Sequence, residues 1–224
     1  MKALAVVAHA DDHILWMGGT IARLRHWMWH VLSLCKSHNG EDFEPKRIVF
    51  HQSCRQLGVV RYSARDLRDC QPREARECQQ LARMKEEILA FADGTYDLVF
   101  THSMHDNCEY GFHANHVEVR DAVSHLVERS MITTGGVLHF SYKSGGCKRP
   151  VIADLDSANY KIELSSAEVA AKTALKRLFI WAEADLKSLS LWDNDEPKIE
   201  AFRGRTPQVE LPSDFVRVRA ERHT

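Results

Sequence analysis

Short apolar runs alternate with amphipathic segments along residues 2–141, and this alternation narrows the fold more than any other feature. Residues 2–8 (KALAVVA) are apolar and β-branched at the centre, which predicts a buried strand. Residues 14–27 predict a helix with Ile14, Met17, Ile21 and Leu24 on one face. Gly18 and Gly19 inside it point to a close backbone approach near the strand end. The alternation continues with a strand at 29–35, a helix at 45–57 with proline near its start, and a strand at 58–62. A charged helix is expected at 72–92, with Cys78, Leu81, Met84, Ile88 and Leu89 along its apolar stripe. A strand at 96–101, a helix at 114–127 and a strand at 136–141 complete the series. Such a pattern predicts an α/β fold: a mostly parallel sheet with helices on both faces. Beyond Tyr142 the pattern changes to one or two strands within 151–164, a long helix over 165–189 and a last strand at 214–219. No repeat, low-complexity tract or linker divides the chain, so one domain over 1–224 is expected.

Composition excludes several functions. The formal net charge is −1 and the basic residues are dispersed, which argues against a nucleic-acid partner. No run approaches the ~20 apolar residues of a membrane span. The opening MKALAVVAHA imitates a secretory leader, but its apolar run is short and a charged cluster follows at once. Six cysteines at irregular spacing, none in C-x-x-C, read as reduced thiols of a cytoplasmic protein. The phosphate-binding, dinucleotide and nucleophile-elbow glycine motifs are all missing. Thirteen histidines form the one unusual count.

Two polar clusters fall where strands are predicted to end. HADDH follows the first strand, and THSMHDNCEYGFHANH, residues 101–116, follows the fourth. Open parallel sheets bind ligands at the carboxyl ends of their strands. His9 and Asp12 are three apart on a tight turn, and His113 and His116 are three apart at a helix start, where they share a face. Two histidines and one carboxylate with an open position make a catalytic zinc set. His9, Asp12 and either His113 or His116 would complete it, leaving Asp11 and the other histidine for proton transfer. Either spacing alone is commonly structural; the two at strand ends of one sheet favour a site. His102 and His105 read as rim residues, and Cys108 as a bystander thiol.

These residues carry a family resemblance. AHADDHILWMGGTIARL resembles the A-H-P-D-D-E…G-G-T-I-A opening of the PIG-L/LmbE zinc-dependent deacetylases. YGFHANHVEVRDAV is similar to that family's H-P-D-H motif, SHNGED to its T-x-G-E loop, and Arg47…Leu57-Gly58 to its R…L-G-V segment. The likeness spans about the first 130 residues in order and weakens in the C-terminal third.

The resemblance implies a Rossmann-like fold and hydrolysis of an N-acetyl group, usually on an N-acetylglucosamine conjugate. It implies that His9, Asp12 and His116 hold Zn2+, with Fe2+ as an alternative metal. Asp11 would be the general base and a protonated His113 would stabilise the oxyanion. Arg47 and Tyr110 would contact substrate. Four positions depart from the family pattern. Ala10 replaces proline, His13 replaces the glutamate that supports the loop, and Ala114-Asn115 replaces Pro-Asp. Asn115 is the most consequential, because a carboxylate beside a metal histidine orients it and raises its basicity, whereas an amide brings no charge. The expected partner is a small N-acetylated sugar conjugate, and a homo-oligomer is compatible with the sequence. A zinc amidohydrolase acting on a non-sugar amide, or a metal-binding homologue without turnover, are the competing readings.

Overall fold

The first strand, β1 (Lys2–Val7), is buried on both faces, as its unbroken apolar run requires. Ala3, Ala5 and Val7 point into one core and Leu4 and Val6 into the other. The computed structural model describes residues 1–36, 42–69, 80–103, 113–144, 151–182 and 198–218. Around β1 lie β2 (Met28–Cys35), β3 (Arg61–Leu67), β5 (Leu98–Thr101) and β7 (Val137–Phe140), all parallel. Three further strands, β10 (Tyr160–Glu163), β11 (Ile199–Arg205) and β12 (Val216–Arg217), extend the sheet antiparallel beyond β7. The eight strands run in the order β12-β10-β11-β7-β5-β1-β2-β3. Two short pairs stand apart: β4 (Thr95–Tyr96) with β6 (Thr133–Thr134), and β8 (Tyr142–Ser144) with β9 (Val151–Ala153).

Helices cover both faces, as expected from the alternation. On one side α1 (Asp12–Arg23), α2 (Glu44–Leu57) and α5 (Ser166–Ala182) pack together; on the other lie α3 (Leu81–Phe91) and α4 (Ala114–Glu128). From β1 the chain proceeds outward through β2 to β3, then returns to the opposite side of β1 with β5. The crevice between β1 and β5 is therefore the switch point, where such sheets bind ligands.

Several expected boundaries move for physical reasons. The strand expected at 58–62 begins instead at Arg61, because Gly58 ends α2 in the left-handed conformation (φ 75°), with its N–H on the Arg55 carbonyl. β3 is an edge strand with polar residues, which hid it from an apolar-run search. The strand expected at 96–101 is split into β4 and β5. The expected helix at 72–92 is observed over Leu81–Phe91, with Gln80 and Ala92 at its ends, and that at 165–189 from Ser166 as far as Ala182; residues 72–79 and 183–189 lie outside the described set. β11, a central strand, was not expected at all.

Inside α1 the backbone leaves helical geometry at Met17 (φ −150°, ψ 16°). The break exposes N–H groups that a continuous helix would satisfy. Glu200 of β11 accepts them: Gly19 N at 2.9 Å and Thr20 N at 2.6 Å, together with the Thr20 hydroxyl at 2.6 Å. Lys172 of α5 supplies the countercharge at 2.7 Å. A fully buried carboxylate is tolerable only with such partners. The close approach expected at the glycine pair belongs to Gly19. A Cβ there would lie 2.4 Å from both Leu164 methyls, whereas one on Gly18 would meet only ordinary contacts at 3.5 Å.

A second tie joins α1 to the start of α5. Arg23 grips Glu168 through Nε at 2.8 Å and Nη2 at 2.5 Å, and also donates to the Glu163 carbonyl at 2.6 Å. The Arg23 bonds hold the Glu168 carboxyl down at about 2, below its ordinary 4.5. A depressed carboxyl pKa contributes stability above the unfolded value and loses it as pH falls through the folded one. Arg23→Gln is expected to cost on the order of 1 kcal/mol at pH 7. Urea unfolding of both proteins at pH 7 and pH 3 should show that gap narrowing at the lower pH.

Candidate metal centre

The end of β1 turns sharply into α1, and the turn is closed by its own residues. Asp12 N donates to the His9 carbonyl at 3.3 Å, and His9 N donates to Asp12 Oδ2 at 2.7 Å. The other Asp12 oxygen, Oδ1, accepts from Trp16 Nε1 at 2.9 Å, one helical turn along. Trp16 is itself held by Tyr142, whose hydroxyl donates to the Trp16 carbonyl at 2.7 Å and whose ring lies 5.0 Å away. The Asp12 carboxylate is thus fixed at both oxygens before any ligand arrives.

The start of α4 brings the second cluster to the same place. His116 and Asn115 lie in its first turn and His113 precedes it. His116 Nε2 lies 3.3 Å from His9 Nδ1 and 3.6 Å from Asp12 Oδ2, while His9 Nδ1 is 3.5 Å from that oxygen. Three donors bound tetrahedrally to zinc at about 2.0–2.1 Å would lie about 3.4 Å apart. The donor set therefore fits a divalent ion, in both chemistry and spacing. His113 packs on the cluster, its ring stacked 4.5 Å from His116 and edge-on 4.7 Å from His9. Its buried Nδ1 has no hydrogen-bond partner among the described residues.

The electrostatics follow from this crowding. Burial opposes charge on Asp12, but the facing His116, His102 and His9 hold its carboxyl well below the ordinary value. Burial likewise opposes charge on His9, yet Asp12 and Asp69 at its two nitrogens push it up to about 10 in the metal-free site. For His113, burial first and then the neighbouring His9 and His116 push it down to about 2. Protonation of His113 is thus disfavoured in the metal-free site.

Two contributors were misread or missed. His102, read as a rim residue, is fully buried at the end of β5 and stacks 3.9 Å from His116. Its Nε2 accepts the Ala8 N–H at 2.8 Å and lies 3.4 Å from Asp12 Oδ2, and with Asp12 and His116 it forms a second group of donors able to hold an ion. Its position directly after the strand beside β1 was the available signal. Asp69, just beyond β3, is buried against His9 and Asn115 and belongs to no motif.

The remaining expected residues are placed as follows. Asp11 occupies the N-cap position of α1, half-buried, and its side chain makes no capping hydrogen bond. His13 turns away from the cluster towards α2, where Nε2 meets Ser53 Oγ at 3.0 Å and the ring packs 5.0 Å from Phe50. Burial pushes it down to about 4. Arg47 is about half-exposed and pairs with Glu44. Tyr110, His105 and Cys108, with residues 37–41 of the expected T-x-G-E-like loop, lie outside the described residues. Cys35 and Cys54 are free, buried thiols; the other four cysteines lie outside the described set.

The α/β sheet thus bears at its switch point a buried His/Asp cluster that could hold a divalent metal. The chain belongs to the PIG-L family, described as GlcNAc-PI de-N-acetylase, whose model matches residues 4–127. No curated protein matches it by sequence. Solved structures with a similar fold include a deacetylase of teicoplanin biosynthesis (13% identity, 86% of this chain and 89% of that one, TM-score 0.61). Another is N,N'-diacetylchitobiose deacetylase from Pyrococcus horikoshii in complex with its inhibitor MPG (16% identity, 92% and 84%, TM-score 0.60). A third is the zinc-inhibited form of teicoplanin deacetylase Orf2 (14% identity, 86% and 91%, TM-score 0.55). Among the described residues no helix is long and apolar enough to cross a membrane.

Trp16→Phe keeps an aromatic side chain but removes the indole N–H that donates to Asp12 Oδ1, together with some buried packing. Weakening the solvation of a buried carboxylate in this way is expected to cost about 1–3 kcal/mol, measurable by chemical denaturation of the metal-free protein.

Proposed function

We propose that this protein is a zinc-dependent N-deacetylase acting on an N-acetylated sugar conjugate, in the cytoplasm. The observation that carries the reading is the set of three donors, His9 Nδ1, Asp12 Oδ2 and His116 Nε2, at 3.3–3.6 Å from one another. Membership of a de-N-acetylase family supports the reaction class. The structural likeness to a diacetylchitobiose deacetylase supports a sugar substrate over another amide.

His9, Asp12 and His116 would hold the ion. A zinc ion there supplies Lewis acidity, which activates water and polarises an amide carbonyl. Asp11 sits one residue from a ligand, and its carboxylate takes the proton of the attacking water. A ring N–H of His113 donates to the carbonyl oxygen as negative charge develops on it. Asp11 then returns its proton to the departing nitrogen, so water and amide become acetate and free amine. Arg47 and Tyr110 are assigned to the substrate beyond the acetyl group. Asp11 and Asp12 thus divide the work between proton and metal. Asp12 is locked by Trp16 and the His9 N–H, whereas Asp11 at the N-cap does not cap the helix.

Two variant sets test this. His9→Ala and His116→Ala should each lose most bound zinc by elemental analysis, since each removes a donor; undiminished zinc in both would overturn the ligand set. Asp11→Asn should retain zinc and fold but lose turnover by roughly 10²–10⁴-fold in an amine-release assay on a panel of N-acetylated sugars and simple amides. Loss of zinc together with activity would make Asp11 a ligand instead. A zinc-loaded wild-type protein that releases amine from none of the panel would favour a binding homologue.

A further inference from the structure

We infer that Asp69 and Asn115 form a positioning pair that presents His9 to the metal, an inference that rests on the zinc reading of the site. Asp69 follows β3 and is 1% exposed; Asn115, in the first turn of α4, is completely buried. A single oxygen, Asp69 Oδ1, faces His9 Nε2 at 3.3 Å and accepts from Asn115 Nδ2 at 2.7 Å. The pair thus joins three elements that each bring something to the cluster: the end of β1, the end of β3 and the start of α4.

The consequence for His9 follows from what each group can do. An ionised carboxylate only accepts. The hydrogen facing Asp69 must therefore be on His9 Nε2. When His9 binds an ion it has one ring proton, and Asp69 keeps that proton on Nε2. The Nδ1 lone pair then points at Asp12 Oδ2 and His116 Nε2, where the ion belongs. A carboxylate behind a metal histidine fixes the tautomer and ring orientation in this way.

Asn115 acquires a specific reason. The resembling family has aspartate between the two histidines, and here asparagine stands there. Because Asp69 Oδ1 is already the acceptor, residue 115 must donate to it. Aspartate at 115 would put two buried carboxylates at hydrogen-bond distance, which raises one pKa steeply or forces them apart. The charge missing from the motif is supplied by Asp69, from another strand, and is directed at His9.

The test compares Asp69→Asn, Asn115→Asp and the exchange Asp69→Asn/Asn115→Asp with wild type. Zinc affinity is read by competition with a chromogenic chelator, and melting temperature on the metal-free proteins. Asp69→Asn should weaken zinc binding by roughly 10–100-fold. Asn115→Asp should weaken zinc and lower the melting temperature. The exchange should recover stability relative to Asn115→Asp, because an amide now faces a carboxylate, without recovering zinc affinity. In the exchange the atom at position 69 that faces residue 115 must be the amide nitrogen, and its N–H then meets His9 Nε2 and drives the ring proton to Nδ1. A purely structural pair would regain both properties. Unchanged zinc affinity in Asp69→Asn, or affinity restored along with stability in the exchange, would overturn the inference and leave the zinc reading intact. Wild-type protein that holds no zinc would overturn that reading and this inference with it.

Discussion

The Asp12 carboxylate is the hinge of the molecule. Its Oδ2 takes the His9 N–H at 2.7 Å and its Oδ1 takes the Trp16 indole N–H at 2.9 Å. One bond closes the turn that ends β1; the other holds the first turn of α1 beneath it. Because the carboxylate is 98% or more buried among His9, His102 and His116, folding this junction assembles the site at the same time. Burying an anion there is tolerable because donors and ring nitrogens surround it. The cluster is therefore built into the rigid crossing of β1, β5 and α4, and its geometry depends on the packing of the sheet rather than on a loop.

The same logic explains the far side of α1. The helix that begins at the His9–Asp12 turn passes β11 and leaves helical geometry at Met17. Glu200 caps the freed N–H groups of Gly19 and Thr20, and Lys172 balances the charge. Gly19 permits Leu164 to approach where any side chain would collide. The C-terminal third, where the family likeness fades, thus supplies the residues that hold the second half of α1. Its contribution to the site is indirect: it holds the half of α1 beyond the Met17 break.

Much of this was legible in the sequence, for identifiable reasons. β1, β2 and β5 are flanked by other strands and covered on both faces, so they read as apolar runs. The helices carried their stripes, and the two clusters stood at strand ends where an α/β sheet places its ligands. β11 was illegible because it reads IEAFRGR, with charge at every second or third position. Its buried Glu200 is matched by N–H groups 180 residues away in sequence, which no local pattern can reveal. β3 was displaced because an edge strand need not be apolar. That displacement concealed Asp69, which would otherwise have stood at a third strand end beside the other two clusters. His102 read as a rim residue because its partner is not local in sequence: it is the Ala8 N–H on the neighbouring strand.

The departures from the family pattern become consistent once their surroundings are known. At position 13 a glutamate would face Phe50, Cys54 and Phe179; a histidine driven neutral by that pocket fits it and bonds Ser53 instead. Ala10 is almost fully buried and the turn around it is held by the His9–Asp12 bonds, so the rigidity that proline would add is supplied otherwise. Asn115 gives up a carboxylate but donates to one at Asp69. Position 13 needs no charge because its pocket is apolar, and position 115 can lose its charge because Asp69 brings one. Compensation of this kind leaves His9, Asp12 and His116 in place while changing residues that stand beside them. The shape and charge around the metal position are thus where this chain differs from the resembling pattern, and substrate preference is the property that such a difference would alter first.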